Sequence, residues 1–592
     1  MNVTGPFIGV NRSLPSHKLP LEAAEDALNC VLANGRIRKR DGYTVNGTGA
    51  PASAVLGQHD YLKNDGTKIQ IVKVGGSLYK NVAGTLTAIT SGGGFSTGDL
   101  ASFRTINDRV YIADPGATPK VTDGTVVESM VITPPPYAPT LAVGSGAVGP
   151  LRGVYDYKYS YYSSTWGIES PSSPSKNQAA TADEKTSSVS VTDGFVVLTN
   201  FATTADTRFD KFRIYRRNLS VKGSEWFLVE EVADTVTTYN DYTPDRSLDI
   251  TSLAPLSYTQ TLPAFRYLEY QSEVLFLAGA DADPNGLYFS PPSKPGAAVS
   301  RIPVDPGGGG IMGLLAIGGE LAIFCRRSIW LLSGTSRSNF YLRKVVPDVG
   351  CVAGHSIVAV GNVAYFLSEQ GFARWDLSSV NAEISNPVQD LVLARNITRD
   401  KLVVGEHDDK NNAIWWLYSS GGSSTSDAML LFFYANSNEV EALSWMPWAI
   451  PNCTSFKLIT DGTSNIKGAS LGFTDGKVAR YGGTNDDTAA INWFWQTGRV
   501  DEGAPAREKR LGEIVVEVTK QTQVSPMVVS LLREEETEAQ ELFRFFQSRT
   551  TARARIRQRA RRYAVRFSNN HTDAPTELVG WNVEATPVGR AQ

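Results

Sequence analysis

A chain of 592 residues is too long for a single hydrophobic core and calls for several units. With 42% hydrophobic and 20% charged residues it is an ordinary folded chain, not a disordered one, and its net charge of −3 gives no global sign of a nucleic-acid or membrane partner. Any such contact must rest on local charge. The four cysteines (Cys30, Cys325, Cys351, Cys453) are scattered and form no CxxC pair, which argues against a disulfide framework or a zinc site and for reduced, buried thiols.

The opening Met1-Asn2-Val3-Thr4-Gly5-Pro6 has neither the basic nor the apolar region of a secretory signal, and no run reaches the length of a membrane span. The chain is expected to be soluble where it is made. An N-terminal arm over 1–52 carries a short helix in this reading. Within residues 17–32, Leu21, Ala24, Leu28 and Val31 recur at helical spacing, with Glu22, Glu25 and Asp26 in the early turns. The basic, turn-rich stretch Gly35 to Gly42 follows.

From 53 to 132 short alternating strands take over. Lys68 to Val74, Gly75-Gly76 and Ser77 to Lys80 read as strand, two-residue turn and strand, a turn in which glycine supplies positive φ at both positions. Phe103 to Ala113 repeats the pattern around Asn107-Asp108. Thr133 to Pro139 is a proline-rich hinge, after which 133–258 reads as an inserted β-sandwich. Tyr155, Tyr157, Tyr159 and Tyr161 fall on one face at period two, and the order and length resemble a fibronectin type III domain.

Hairpins return over 259–489. The stretches Leu268 to Leu277, Leu315 to Phe324 and Val358 to Leu367 overlay one another roughly every 45 residues, each followed by a further short strand, which is the signature of propeller blades. Weaker copies lie near 414–434 and 472–481. A β-rich domain over 490–592 ends the chain. The expected fold is therefore all-β: a β-propeller whose first blades (53–132) and remaining blades (259–489) flank the sandwich, with the terminal β-domain behind them.

Signals for chemistry are sparse. Among five histidines, His355, His407 and His571 belong to no metal-binding or catalytic motif. His407-Asp408-Asp409 reads as an exposed loop, Gly307 to Gly310 as a connector without the lysine of a phosphate loop, and Asp281 and Asp283 as turn formers. No catalytic residue, cofactor or metal is expected, and the chain is read as a non-enzyme. Trp415, Trp416, Trp445, Trp448, Trp493 and Trp495 would serve either a propeller core or a sugar-binding face. The sharpest local feature is Arg553, Arg555, Arg557, Arg559 and Arg561, whose period of two places five guanidiniums on one face of a strand, with Arg562 and Arg566 close by. That stripe would meet either a phosphate backbone or the acidic run Glu534, Glu535, Glu536, Glu538 and Glu541.

The segment Ile311 to Asp376 (GLLAIGGELAIFCRRSIWLLSGTS through VAYFLSEQGFARWD) resembles the propeller segment of tail nozzle proteins of short-tailed bacteriophages. LPLEAAEDALNCVLANGRIRKRDGY and LFLAGADADPNGLYFSPPSKP are similar to that group as well. The resemblance implies a structural virion protein, assembled in the bacterial host cytoplasm as a homohexameric ring below the adaptor protein. Double-stranded DNA would pass through its lumen without sequence specificity, and tail fibres or tailspikes would dock outside. A carbohydrate-binding propeller for receptor recognition is the alternative, with the tryptophans as its support. A propeller glycosidase would need two carboxylates converging in a pocket.

Overall fold

Antiparallel pairing between neighbours in sequence builds most of this computed structural model, in which 53% of residues lie in strands and 4% in helices. It describes residues 2–145, 148–175, 188–256, 260–297, 299–305, 307, 309–434, 444–460, 467–519, 526–534, 536–546, 550–572 and 577–588. The chain divides into one unit of Met1–Val127, Ala264–Phe289 and Arg301–Gln592, and a second of Glu128–Pro263 with Ser290–Ser300.

The larger unit is a seven-bladed β-propeller with a sandwich built on it. Each blade is a four-stranded antiparallel sheet. The innermost strands are Val55–Leu62, Ser102–Ile106, Tyr267–Gln271, Ile311–Ile317, Val358–Val360, Val404–Asp408 and Cys453–Thr460. The three overlaid hairpins become blades 3, 4 and 5, and the earlier pair becomes blades 1 and 2. Their turns follow the required backbone chemistry: Asn107-Asp108, Ser272-Glu273 and Gly318-Gly319 all have positive φ at both positions. At Gly75-Gly76 only Gly75 does, so the expectation for Gly76 is corrected. Gly76 is needed for space instead, because a Cβ there would meet the Phe95 carbonyl oxygen at 2.9 Å.

Blade 7 is finished from the other end of the sequence. Tyr43–Gly47 pairs antiparallel with Val478–Tyr481 and supplies its outer strand. A chain of side-chain amides runs along the seam between blades 7 and 1. Asn81 Nδ2 donates to the Asn46 carbonyl (3.1 Å) and to Gln70 Oε1 (3.0 Å). Gln70 Nε2 then donates to Gln58 Oε1 (2.9 Å), to which Ser470 Oγ also donates (2.7 Å). Each buried polar group on this line is thereby satisfied by the next.

The helix expected within 17–32 is not formed. Its only helical turn is Ser16–Lys18; beyond it lie the strands Ala24–Leu28 and Cys30–Ala33. Ala27 lies opposite Trp495 and Leu28 opposite Phe494, so distant partners overrule a local spacing that fits either structure. The N-terminal arm is thus part of the C-terminal sandwich. One sheet runs Cys30–Ala33, Arg36–Lys39, Glu577–Pro587, Lys509–Val518 and Thr551–Ala560, with Asn2–Thr4 beside Glu577–Pro587. The other runs Ala24–Leu28, Ile491–Thr497, Tyr563–His571, Pro526–Arg533 and Gln540–Phe546. Trp415, Trp416, Trp445, Trp448, Trp493 and Trp495 all belong to one hydrophobic cluster joining this sandwich to the later blades.

Arg40 fastens the junction. It is 1% exposed, and all five of its N–H donors are used. Nε donates to Asn29 Oδ1 (2.9 Å), Nη1 to Asp486 Oδ1 (2.8 Å) and the Asp41 carbonyl (3.0 Å), Nη2 to Asp486 Oδ2 (2.6 Å) and the Ala449 carbonyl (3.0 Å). Gly42 follows because a Cβ there would lie 1.9 Å from the Asn485 carbonyl oxygen.

The second unit is a two-sheet sandwich of three strands (Thr140–Val143, Val196–Thr199, Thr238–Asp241) and five (Val189–Gly194, Leu151–Tyr162, Lys211–Asn218, Phe227–Ala233, Asp249–Leu253). Tyr155, Tyr157, Tyr159 and Tyr161 point into its core as their period of two requires. Tyr157 Oη donates to Asp241 (2.7 Å), which also receives Arg216 (2.5 Å).

Arg40→Lys keeps the charge but loses the fork, leaving Asp486 and two carbonyls short of donors. It is expected to cost about 3–5 kcal/mol in urea unfolding, as does breaking a buried ion pair. Trp448→Ala, which removes a buried ring and the Nε1 bond to the Cys30 carbonyl (2.6 Å), is expected to cost about 3–5 kcal/mol by the same measurement.

Candidate functional site

Seven parallel innermost strands enclose a cavity on the propeller axis. Every blade contributes to its wall, represented by Gln58, Arg104, Leu268, Leu315, Ile357, Glu406 and Lys457. Its volume of about 180 Å³ amounts to roughly six water molecules. A nucleic-acid duplex does not fit there.

The charged groups of the cavity are mutually paired. Arg104 grips Glu269 with Nε to Oε1 (2.8 Å) and Nη2 to Oε2 (2.5 Å), and Lys457 pairs with Glu406. His59 stacks on Phe103, and its Nε2 lies 2.8 Å from Thr105 Oγ1. Burial, reinforced by the Lys457 and Arg104 charges, lowers the His59 pKa to about 3. Burial and the nearby cations Lys73, Arg266 and Lys457 bring His355, beside Tyr267, down to about 4. Both rings are neutral at physiological pH.

Where the inner strands of blades 1, 2 and 6 begin, apolar side chains gather. Leu56, Leu100 and Leu402 form a small apolar cluster with Ala54 and Val404. Beside it, Asp99 accepts from Lys401 Nζ (2.7 Å), Arg266 Nη1 (3.0 Å) and Ser96 Oγ (2.9 Å). Burial alone would raise the Asp99 carboxyl; these hydrogen bonds outweigh it and hold the pKa at about 2. Asp99 precedes blade 2 and Lys401 precedes blade 6, so this ion pair ties together segments far apart around the ring. Lys73 lies beneath, fully buried, with Nζ donating to Asp114 (2.5 Å) and to the Asp99 carbonyl (2.6 Å).

Of these axial residues His355 was named from the sequence, as a histidine outside any motif, and the others had no functional reading. The available signal was a polar side chain recurring within the innermost strand of successive repeats, as at His59, Arg104, Glu269, Glu406 and Lys457.

The other sequence candidates fall elsewhere. His407 and Asp408 are not in the exposed loop expected of them but end the inner strand Val404–Asp408, whose pairing with Ala413–Tyr418 draws them in. His407 Nε2 meets Tyr434 Oη at 2.7 Å, and the buried Asp408 accepts from the amides of Lys410 and Asn411 in the turn that follows. Asp281 pairs with Arg266, and Asp283 with Arg301 and Tyr288. Part of the 307–310 connector lies outside the described residues. Among the described residues no cluster of three metal-ligating side chains occurs. The four cysteines are buried as free thiols, and burial raises the pKa of each. The tryptophan rings are interior and offer no sugar platform.

The arginine stripe takes the form its alternation implies. In Thr551–Ala560 the side chains of Arg553, Arg555, Arg557 and Arg559 are exposed, while Ala552, Ile556 and Ala560 are buried. Arg561 lies one residue past the strand, in the turn, still exposed; its amide donates to Glu534 Oε1 (2.5 Å). Arg566 belongs to the opposite sheet, where its guanidinium lies over the Phe494 ring. Among the described residues the strand is an edge, paired on one side only, with Lys509–Val518.

The acidic run does not neutralise the stripe. Glu536 pairs with Arg533 and Glu541 with Arg544, while Glu535 lies outside the described residues. Within the stripe, Arg559 alone has an ion pair among the described residues, to Glu508 at 3.6 Å. Arg510 lies opposite Arg559 and Glu513 opposite Arg555. Two strand residues advance roughly 6.7 Å, so adjacent guanidiniums repel by about 0.6 kcal/mol in water before screening.

No family model and no curated protein matches this chain. Among solved structures it is similar to the computationally designed Ika8 protein (10% identity over 74% of this chain and 99% of that one, TM-score 0.32). It is also similar to the Neurospora crassa Pan2 WD40 domain (8%, 66% and 90%, TM-score 0.26) and to PorZ of Porphyromonas gingivalis (10%, 96% and 87%, TM-score 0.25). An exo-beta-1,3-galactanase from Phanerochaete chrysosporium aligns at a TM-score of 0.14 and 8% identity. These likenesses carry no argument about activity, and none of the four is a phage tail protein. The strand pairing itself establishes the propeller.

The two axial histidines predict a pH dependence. With pKa values near 3 and 4 folded and about 6.5 unfolded, the unfolded chain binds more protons below pH 6.5. Stability is whole above about pH 7 and falls as pH drops from 6.5 toward 4, by up to about 1.4 kcal/mol per pH unit for each ring. Urea midpoints at pH 7.5, 6 and 5 measure this, and the double variant H59Q/H355Q should flatten the decline.

Proposed function

We propose that this chain is a structural subunit of a tail nozzle of the short-tailed phage type: a ring-forming virion protein that conducts and retains genomic DNA and anchors fibres or spikes. The observation that carries the reading is the way the polypeptide locks itself. Tyr43–Gly47 closes the propeller, residues 2–39 enter the sandwich formed by 491–588, and Arg40 joins the two. A body fastened this way suits a part that bears load within an assembly.

The axial cavity supports the same reading. Its lining carboxylate Glu406 is bound to Lys457, its lining Arg104 to Glu269, and its volume of about 180 Å³ is far too small for a duplex. DNA would therefore run through the lumen of a ring of subunits, outside the propeller of any one of them. The carbohydrate-binding alternative loses its support, since the late tryptophans are interior.

Light scattering coupled to size exclusion, with negative-stain imaging of the purified chain alone and mixed with a phage adaptor protein, tests the proposal. Closed rings, six-fold in averaged images, are expected. A chain that remains monomeric at every concentration, with adaptor present, contradicts it.

A further inference from the structure

We infer that the edge strand Thr551–Ala560 is a rail for the phosphodiester backbone of double-stranded nucleic acid, engaged without regard to sequence. The inference stands on these residues and does not need the assembly reading above.

Four guanidiniums project from one face of a regular strand and a fifth continues past its end, so the positive charge forms a line, not a cluster. The four strand arginines span roughly 20 Å at the strand rise. A duplex presents one negative charge about every 1.7 Å of its axis, so a line of that length faces a continuous row of phosphates. Arginine's planar fork suits phosphate oxygens in pairs.

Two features choose this ligand over others. An acidic protein partner would need carboxylates at matching spacing. In this chain Glu536 and Glu541 are taken up by Arg533 and Arg544, and Glu534 meets the Arg561 amide and not a guanidinium. Among the described residues Arg559 alone of the stripe has an ion pair, to Glu508. Single-stranded nucleic acid would need aromatic platforms for its bases, whereas the residues across the ladder from Arg553, Arg555 and Arg559 are Val515, Glu513 and Arg510. A row of identical guanidiniums offers no alternation of donors and acceptors to match a base sequence, so its regular spacing suits the backbone. Edge strands also carry charge to repel other strands, but one or two charges serve that purpose. Four in unbroken alternation, beside a fifth at Arg561 and a sixth at Arg510 across the ladder, exceed it.

The test uses the full chain and a fluorescent 30-base-pair duplex of mixed sequence, with anisotropy read from 50 to 200 mM salt. With about four phosphates neutralised, affinity should fall about 100-fold across that range, a log–log slope near −3 to −4. R553Q/R555Q/R557Q/R559Q, which removes charge from exposed positions and leaves the strand's buried face intact, should weaken binding at least about 10-fold at 50 mM salt and bring the slope close to zero. R326Q/R327Q/R337Q/R343Q, the same charge change in blade 4, should leave both unchanged. An unchanged melting temperature in the stripe variant confirms that it is folded.

The inference is overturned if the wild-type chain does not bind the duplex at 50 mM salt, or if the two quadruple variants behave alike. It is also overturned if poly-glutamate of equal charge binds the stripe more tightly than the duplex, which would assign the strand to an acidic protein. Ring formation is scored separately by light scattering, so either proposal can fail while the other stands.

Discussion

Everything in the larger unit converges on one buried guanidinium. Arg40 belongs to the N-terminal arm, yet its partners come from the end of blade 6 (Ala449), the segment leaving blade 7 (Asp486) and the arm's own turn (Asn29). Asn29 is held in the left-handed region (φ 56°), accepts from the Ala449 amide at 2.9 Å and donates to the Asn492 carbonyl at 2.8 Å. A buried charge is tolerable only when every donor has a partner. Here that condition fixes the relative placement of three segments at once. The strand Tyr43–Gly47 begins three residues later, so the closure of the propeller is aimed by the same contact.

A ring of blades differs from an open stack because its last interface joins residues distant in sequence. Blades 1 to 6 each consist of hairpins between neighbours and need little help to find their register. The seam between blades 7 and 1 instead carries a line of amides and hydroxyls (Asn81, Gln70, Gln58, Ser470). Apolar packing tolerates sliding; a line of specific donors and acceptors does not, so polar groups define register where sequence proximity cannot. Near the axis the same logic holds at Asp99, which gathers Lys401 and Arg266 from different parts of the ring.

Features that depend on a local period were legible in the sequence. The hairpin repeats, the tyrosine face of the second unit and the alternation of Arg553 to Arg559 all follow from side chains changing sides at every residue of a strand. Features decided by a distant partner were not. Residues 17–32 offer Leu21, Ala24, Leu28 and Val31 at a spacing that suits a helix, and nothing nearby reveals that Trp495 and Phe494 will lie opposite Ala27 and Leu28. The axial residues were hidden for a related reason: Arg104, Glu269, Glu406 and Lys457 are single polar positions in separate blades, and only closure of the ring brings them together. The pairing of the acidic run was equally open, since Glu536 and Glu541 had basic neighbours on both sides.

Closing blade 7 with residues 43–47 also sets a clock for biosynthesis. The partner strand ends at Tyr481, more than four hundred residues downstream, and the sandwich partners of residues 24–39 emerge later still. At about 5–20 residues per second, the ribosome needs roughly 20–90 s between the two strands. For that interval the newborn chain holds an uncapped β-edge and the lone Arg40 in solvent, while the early blades already have their hairpins. Crowding by sister chains on the same message is most hazardous in that window. The final act of translation, rather than the first, turns a string of hairpins into a rigid part.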